Sequence, residues 1–572
     1  MEVSNVPQLI RNTGRFREVV HVLAKYGLAG FLTDVNLEWV RSLFKTADDQ
    51  QILELSPAAR IRLAITELGT TFIKLGQVLS TRPDLVGQEI ANELAQLRAG
   101  TPADPPDVIK ELIETELGSS IEELYAEFEA EAFASASIGQ VHRAVLHDGS
   151  AVVVKVQHPG IEDGIKNDLE ILKMLAELAE SHAPQLRQYR PVDTTTEFQR
   201  TLLRELDFRS EQRNLDLFRR NFRDDPRVVF PMPYQELSSR RVLTMQRLDG
   251  VNISEPGQLN ESGLPLSEFA KRGASIFLDM IFRDAFYHAD PHPGNLMIVP
   301  GQDSADSTAA ASVEATSPAD PYRIGVLDCG MVGRMDEAFR QDIETALLAV
   351  VHHDSQTLTD VIVRLGSAPP ELDREELMAD VEDFLSVYAH QSLNEFDLSG
   401  CLQGIIDIIH RYKIVLHTKM AMLLKVLIML EGTAQQLNPE FNLAEMIAPY
   451  GQRSMQDRFS PKRLFRRLQA TYDDWNRLAE ILPRDAADIL HRVKSGRFNV
   501  YLEHRRLEAT VNRLVLGILT AALYMGSAML WSRGVGPTVQ GISLPGISGC
   551  LVACYLGFIV IRAVKSTGDL RD

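Results

Sequence analysis

The sequence predicts an α+β fold in which a strand-bearing segment stands between a helical leader and a longer, mainly helical remainder that closes on a hairpin of two apolar helices. Three observations lead there. Apolar residues recur at i, i+3 and i+4 through residues 16–26 and 57–79, the spacing of one helix face. The period then drops to two in 138–146 and 151–157, with Asp148-Gly149 between them as a hairpin turn. Finally, 514–531 and 542–561 are charge-free runs of 18 and 20 residues, and a bilayer core of about 30 Å takes about 20 apolar residues as helix.

The elements are expected in this order. Residues 1–130 form the helical leader; 101–107 is a Pro-rich break after which Asp107 caps a helix reaching Leu117. Residues 131–250 form a strand-bearing lobe, with a helix over 162–182 and short strands over 228–231 and 241–246. A helical lobe runs over 251–505 and holds a low-complexity surface loop, 301–320, expected to be mobile. The hairpin occupies 506–572, with helices near 514–531 and 542–561. Its stripe of Gly549, Ala553 and Gly557 would let two helices approach closely.

Composition narrows the function. With 45% hydrophobic and 24% charged residues, the 572-residue chain is neither disordered nor wholly membrane-embedded. Four cysteines without a C-x-x-C pair argue against a disulfide scaffold and a structural zinc site. The net charge of −19 hides an asymmetry: residues 451–572 carry 18 Lys and Arg against 10 Asp and Glu. An acidic body repels a phosphate backbone, so no nucleic-acid partner is expected, whereas a basic tail beside apolar runs suits anionic membrane lipid. The basic stretch 451–469 reads equally as a solvated helix face or a membrane-facing patch. Residues 1–14 have no apolar core and are not expected to be a secretory signal. Arg505, Arg506 and Arg513 precede the first apolar run, Arg562, Lys565 and Arg571 follow the second, and only Arg533 lies between. The positive-inside rule therefore places both ends, and the large domain, on the cytoplasmic side of an inner membrane.

The chemistry is carried by scattered polar residues. His288-x-Asp290 with Asn295 has the spacing of a kinase catalytic loop, where the Asp meets the attacking oxygen and the Asn reaches a metal ion. A strand-like run, 323–328, ends in Asp328, followed by Cys329-Gly330. A carboxylate there can bridge Mg²⁺ to phosphates, and the glycine permits the turn. Alone, D-x-G is a common turn; after a catalytic-type loop and with a strand on each side it points to a metal site. Lys155 is the one charge on the apolar strand Val152-Val153-Val154-Lys155 and needs a partner, for which Glu211 is the first candidate and Glu205 the second. No G-x-G-x-x-G precedes Lys155. In its place stand Phe133, Ala134, Ser135, Ala136, Ser137, Ile138, Gly139, Gln140 and Val141, small enough in part for backbone N–H groups to approach phosphates. Met245 and Gln246 are expected at the adenine end.

Together these motifs resemble the UbiB/AarF (ADCK-like) family of atypical protein-kinase-like proteins. Lys74-Leu75-Gly76-Gln77 matches the family's K-x-G-Q signature, residues 134–137 its alanine-rich loop with Ser at the second position, and Glu205-x-Asp207 its E-x-D element. Lys155, Glu211, Asp290, Asn295 and Asp328 match the lysine, helix glutamate, catalytic loop and D-F-G positions, with Cys329 replacing the usual Phe and expected to loosen packing there. The resemblance implies a bilobal protein-kinase-like fold whose helical leader covers the active site, ATP and Mg²⁺ as cofactors, and Lys74, Gln77, Glu205 and Asp207 as residues that restrict the cleft. It also implies support of ubiquinone or other isoprenoid quinone biosynthesis at a membrane, with quinone precursors or quinone-biosynthesis proteins as partners. Only 331–335 separate Gly330 from Asp336, which should cap a helix; that is too short for a peptide platform, so an ATPase or small-molecule or lipid phosphotransferase is expected rather than an ordinary protein kinase. The alternative is a non-catalytic scaffold switched by nucleotide. A soluble small-molecule phosphotransferase is disfavoured by the K-x-G-Q helix and the hairpin.

Overall fold

A computed structural model describes residues 13–28, 55–97, 101–182, 187, 189–255, 257, 259, 265–300, 322–388, 397–447, 449–450, 507–539 and 542–565. The chain forms two compact units, Met1–Ser460 and Pro461–Asp572. The loop 301–320 and the basic stretch 451–469 lie outside the described residues.

The leader of the first unit contains α1 (Thr13–Lys25), α2 (Pro57–Leu68), α3 (Thr70–Leu79), α4 (Pro83–Val86), α5 (Gln88–Leu94) and α6 (Pro106–Leu117). The Ser56 hydroxyl caps α2 by accepting from the Ala59 amide at 3.2 Å, and Pro57 sits in the first turn, where its missing N–H goes unneeded. The amphipathic run over 57–79 is not one helix: at Gly69 φ is +89°, a value few side chains tolerate, so α2 ends and α3 begins there. Asp107 is not the cap expected. Pro105 is, with Pro106 starting α6, because proline's fixed φ is already helical; Asp107 falls in the first turn.

The strands around the site are β1 (Glu127–Phe128), β2 (Ala134–Ser135), β3 (Gly139–Val145), β4 (Ala151–Gln157), β5 (Val228–Val229), β6 (Val242–Gln246), β7 (Val251–Asn252), β8 (Phe286–His288), β9 (Leu296–Pro300), β10 (Tyr322–Val326) and β11 (Val332–Arg334). A five-stranded antiparallel sheet has the order β1-β3-β4-β6, with β2 on β3. Asp148-Gly149 turns β3 into β4 as the sequence indicates: Gly149 has φ +85° and Asp148 Oδ1 accepts from the Ser150 amide at 2.8 Å. Alternation along β4 decides the rest of the lobe. Val152, Val154 and Val156 are fully buried in a core with Ile109, Leu112 and Ile113 of α6, which leaves Val153 and Lys155 on the opposite face. A second sheet, β5-β10-β9-β7, and the pair β8–β11 carry the loops beyond.

Around these sheets pack α7 (Ile161–His182), α8 (Pro191–Glu205), α9 (Phe208–Asn221), α10 (Leu266–Leu278), α11 (Glu337–Val351), α12 (Ser355–Leu365), α13 (Arg374–Tyr388), α14 (Leu398–Arg411) and α15 (Thr418–Leu437). The fold is thus α+β and mostly helical. One apolar core runs from Val19 in α1 through Phe218 and Phe277 to Leu430 in α15. The leader is also locked to the helical side by buried polar groups: Arg82 donates to Asp84 at 2.9 and 2.8 Å and to the Leu416 carbonyl at 2.9 Å, while the Leu416 amide donates to Asp84 Oδ2 at 3.1 Å.

The second unit is described by α16 (Leu507–Ser532) and α17 (Leu544–Lys565). The predicted small-residue stripe is their seam. A Cβ on Gly549 would stand 2.1 Å from Ser527 Oγ, one on Gly557 would stand 3.8 Å from Thr520 Cγ2, and Ser527 and Ala553 are buried. Of the two expected spans, Leu514–Ser532 is long and apolar enough to cross a bilayer. The second starts two residues later than expected: Ile542–Ser543 pairs with Thr538–Val539, and α17 begins at Leu544 and runs through the rest of the apolar stretch.

Asp84→Ala leaves Arg82 buried without its counter-charge. Denaturant titration is expected to show a loss of about 3–5 kcal/mol, the usual effect of removing one partner of a buried pair.

Candidate active site

Lys155, Asp290 and Asp328 line one cavity of about 940 Å³. The alternation of β4 aims Lys155 into it. Its Nζ donates to Glu211 Oε2 at 2.8 Å and to Asp328 Oδ2 at 3.3 Å. Glu211 arrives there because Asp207 caps α9, its carboxylate accepting from the Arg209 amide at 3.2 Å and so fixing the first turn. Glu205, the last residue of α8, ion-pairs with Lys74 of α3 at 2.9 Å. The E-x-D element therefore spans a helix junction: its first acid holds the leader, and its second starts the helix that carries Glu211.

On the far wall, Asn295 Nδ2 donates to the Asp290 carbonyl at 3.1 Å and to Asp290 Oδ2 at 3.0 Å. The Asp290 amide donates to His288 Nδ1 at 3.1 Å. His288 Nε2 must then carry the proton and donate to the Asp328 carbonyl, its other contact. Burial lowers the pKa of this enclosed ring, consistent with a neutral imidazole. The Gly330 amide donates to Asp328 Oδ1 at 2.8 Å, and the buried Cys329 offers its carbonyl to Asn214 Nδ2 at 2.9 Å. The chain then pairs as β11 with β8, and Asp336 caps α11 by accepting from the Phe339 amide at 2.9 Å.

The alanine-rich loop is a tight turn, with the Ala136 amide donating to the Gly139 carbonyl at 2.9 Å. Gly139 is required by close approach: a Cβ there would stand 2.3 Å from the Val156 carbonyl oxygen. Phe133, Ala136, Ser137, Ile138, Gly139, Val141, Met245 and Gln246 line the cavity, as do Lys74, Glu205, Asp207, Glu211 and Asn295. Ala134, Ser135, Gln140 and Gln77 are not among the lining residues. Ala134 and Ser135 are taken up in β2. The Gln140 side chain is buried, its Oε1 accepting from the Asp104 amide at 2.6 Å. Gln77 Nε2 donates to the Leu97 carbonyl at 3.3 Å. Three residues to which the sequence assigned no role of their own also serve the site. His288 lay within the H-x-D motif; Asn214 lies three residues after Glu211 in α9, and Lys425, whose Nζ is 3.5 Å from Asp290 Oδ1, lies in α15, where no motif marks it.

Among the described residues no cluster of three His, Cys, Asp or Glu could hold a metal alone. The donors here are the Asp328 carboxylate and the Asn295 amide oxygen. Such a set suits a hard cation that completes its shell with phosphate and water oxygens, as Mg²⁺ does.

Three family models match the chain: "ABC1 atypical kinase-like domain" over residues 96–362, "UbiB helical domain" over 381–442 and "ABC1/UbiB kinase-like C-terminal domain" over 503–565. A "Probable protein kinase UbiB" of Pseudomonas aeruginosa (strain LESB58) is 33% identical, over 84% of this chain and 87% of its own length. One of the same name from Xylella fastidiosa (strain M23) is 32% identical, over 94% and 97%. An "Uncharacterized protein in hydrogenase 1 5'region" of Clostridium pasteurianum is 30% identical, over 97% and 99%.

Charge in the cluster is tightly coupled. Burial would raise Asp328, but the Lys155 ammonium and the Gly330 amide outweigh it and hold the carboxyl well below the usual range. Its side chain is 49% exposed, opening onto the cavity it lines. Burial would lower Lys155, but Asp328 and Glu211 raise it; Lys74 is likewise raised by Glu205 against its burial. Burial and the Asp328 charge push Glu211 up to about 7 despite Lys155. Because that value lies above the ordinary 4.5, the protonated form stabilises the fold below about 4.5, and this contribution is lost as pH rises through about 7. Thermal scans should therefore show the midpoint of the wild type falling relative to Glu211→Gln across that window; a constant difference would contradict the assignment.

Proposed function

This chain belongs to the UbiB/ABC1 family of atypical kinase-like proteins, and from that premise we propose that it binds Mg-ATP in the cleft and hydrolyses it, or transfers its phosphoryl group to a small or lipid-like acceptor, in support of ubiquinone or related isoprenoid quinone biosynthesis at a membrane. The observation that carries the reading is the convergence of Lys155, Glu211, Asp290, Asn295 and Asp328 on one cavity. Lys155, steadied by Glu211, meets the nucleotide phosphates, with Met245 and Gln246 at the adenine end. Asn295 and Asp328 hold Mg²⁺, which neutralises phosphate charge when bound. Asp290 orients or deprotonates the attacking water or hydroxyl. Against a protein acceptor stands the short course from Gly330 through β11 to α11.

The nucleotide-switched scaffold is kept as a second reading, because Lys74 of the leader lines the same cavity and narrows the room for an acceptor. In a deletion strain, quinone levels restored by Asp290→Asn with nucleotide binding intact would favour it.

The hairpin supports membrane attachment. Outside its seam it exposes large apolar side chains, among them Leu514, Ile518, Met525, Leu551, Tyr555 and Phe558. The flanking arginines favour the cytoplasmic side for both ends.

Two measurements test this reading. With purified protein and anionic vesicles, calorimetry should show Asp328→Asn losing Mg-ATP binding, whereas Asp290→Asn should keep binding and lose about 10²–10⁴-fold in phosphate release. Unaltered binding by Asp328→Asn removes the metal assignment. Removal of residues 507–572 should shift the chain from carbonate-washed membranes to the supernatant; retention there would refute anchoring by the hairpin.

A further inference from the structure

Between His288 and Asn295 the loop reads Ala289, Asp290, Pro291, His292, Pro293, Gly294, an acid with no lysine or arginine of its own. The Asp290 carboxylate is nevertheless paired on both oxygens. Asn295 Nδ2 donates to Oδ2 at 3.0 Å, and the Lys425 ammonium stands 3.5 Å from Oδ1. Lys425 lies about two turns into α15, inside the stretch matched by the UbiB helical-domain model. The same helix grips the loop again where the buried Thr433 donates from Oγ1 to the Pro291 carbonyl at 3.0 Å. Eight residues of α-helix make a little over two turns, so both contacts come from about one side of α15. The Lys425 side chain is only 20% exposed, and that of Asp290 31%. An ion pair so covered is screened less by salt than a surface pair.

We propose that Lys425 is a positioning residue: α15 reaches into the kinase-like site and fixes the Asp290 carboxylate so that it can meet the attacking hydroxyl or water. The inference rests on the phosphoryl-transfer reading above. A carboxylate offers about four lone-pair sites. The contacts from Asn295 and Lys425 therefore set its plane and still leave it able to accept the nucleophile's O–H. The helical stretch that follows the kinase-like motifs is in this way part of the reaction apparatus.

The test uses the full-length protein in anionic vesicles, with Lys425→Met, Lys425→Gln and Lys425→Arg. Phosphate release, KM for Mg-ATP, Mg-ADP affinity and thermal midpoint are measured for each. Lys425→Met and Lys425→Gln should lose about 10- to 100-fold in kcat, as misplaced catalytic groups do, with KM and Mg-ADP affinity unchanged. Lys425→Arg, which keeps the charge, should recover most of the rate. Should Lys425→Met fail to fold, Lys425→Gln decides. Wild-type kcat in the neutral variants, an equal loss of nucleotide affinity, or an arginine variant as slow as the neutral ones overturns the inference. A wild type that binds no Mg-ATP overturns the underlying reading and this one together, whereas a wild type that binds and turns over ATP no faster than Lys425→Met overturns this one alone.

Discussion

One ammonium group between two carboxylates organises the first unit. Lys155 comes from the centre of the five-stranded sheet, Glu211 from the first turn of α9 and Asp328 from the loop after β10, and they meet within 2.8 and 3.3 Å. Without the lysine, a nearly enclosed Glu211 and Asp328 would face each other with no counter-charge, an arrangement that costs several kcal/mol per unpaired ion. The strand alternation that buries Val152, Val154 and Val156 against α6 also turns Lys155 towards its partners. Packing on the rear of the sheet and charge on its front are two outcomes of one period-two pattern.

Backbone bonds extend this order. His288 joins the Asp290 amide to the Asp328 carbonyl, Asn214 holds the Cys329 carbonyl, and the Gly330 amide holds the Asp328 carboxylate. The cysteine in the place of a phenylalanine is buried in the main core, with its backbone anchored on both sides. The acids are thus braced by the protein's own hydrogen bonds, an arrangement of the kind that preorganises polar groups.

What was legible in the sequence is what depends on neighbours in the chain. The Asp148-Gly149 turn, the Asp336 cap, the spacing from Asp290 to Asn295 and the exceptional charge on β4 all follow from local geometry. The α2–α3 break was harder, because Gly69 sits inside an uninterrupted apolar rhythm and only its positive φ reveals the change. At the start of α6 two local signals competed, and proline's preset dihedral prevailed over an aspartate's capping tendency. Gln140 and Gln77 satisfy part-buried backbone groups, contacts that no spacing rule expresses. The Lys425 pairing with Asp290 joins distant stretches of chain, and a lysine in a largely apolar helix carries no mark of its destination. In the hairpin, hydropathy counted Ile542 and Ser543 as helix although they pair across a turn.

The short course after Gly330 has a consequence for control. Signalling enzymes built on related plans are commonly silenced and awakened through a long pliable strip at this place, whose rearrangement or covalent marking opens the cleft. Here the strip is reduced to β11, laced to β8 through Val332, Gly333 and Arg334 before Asp336 begins the next helix. That wall has no slack to act as a valve. The leader enters the lining of the same cavity through Lys74, which pairs with Glu205.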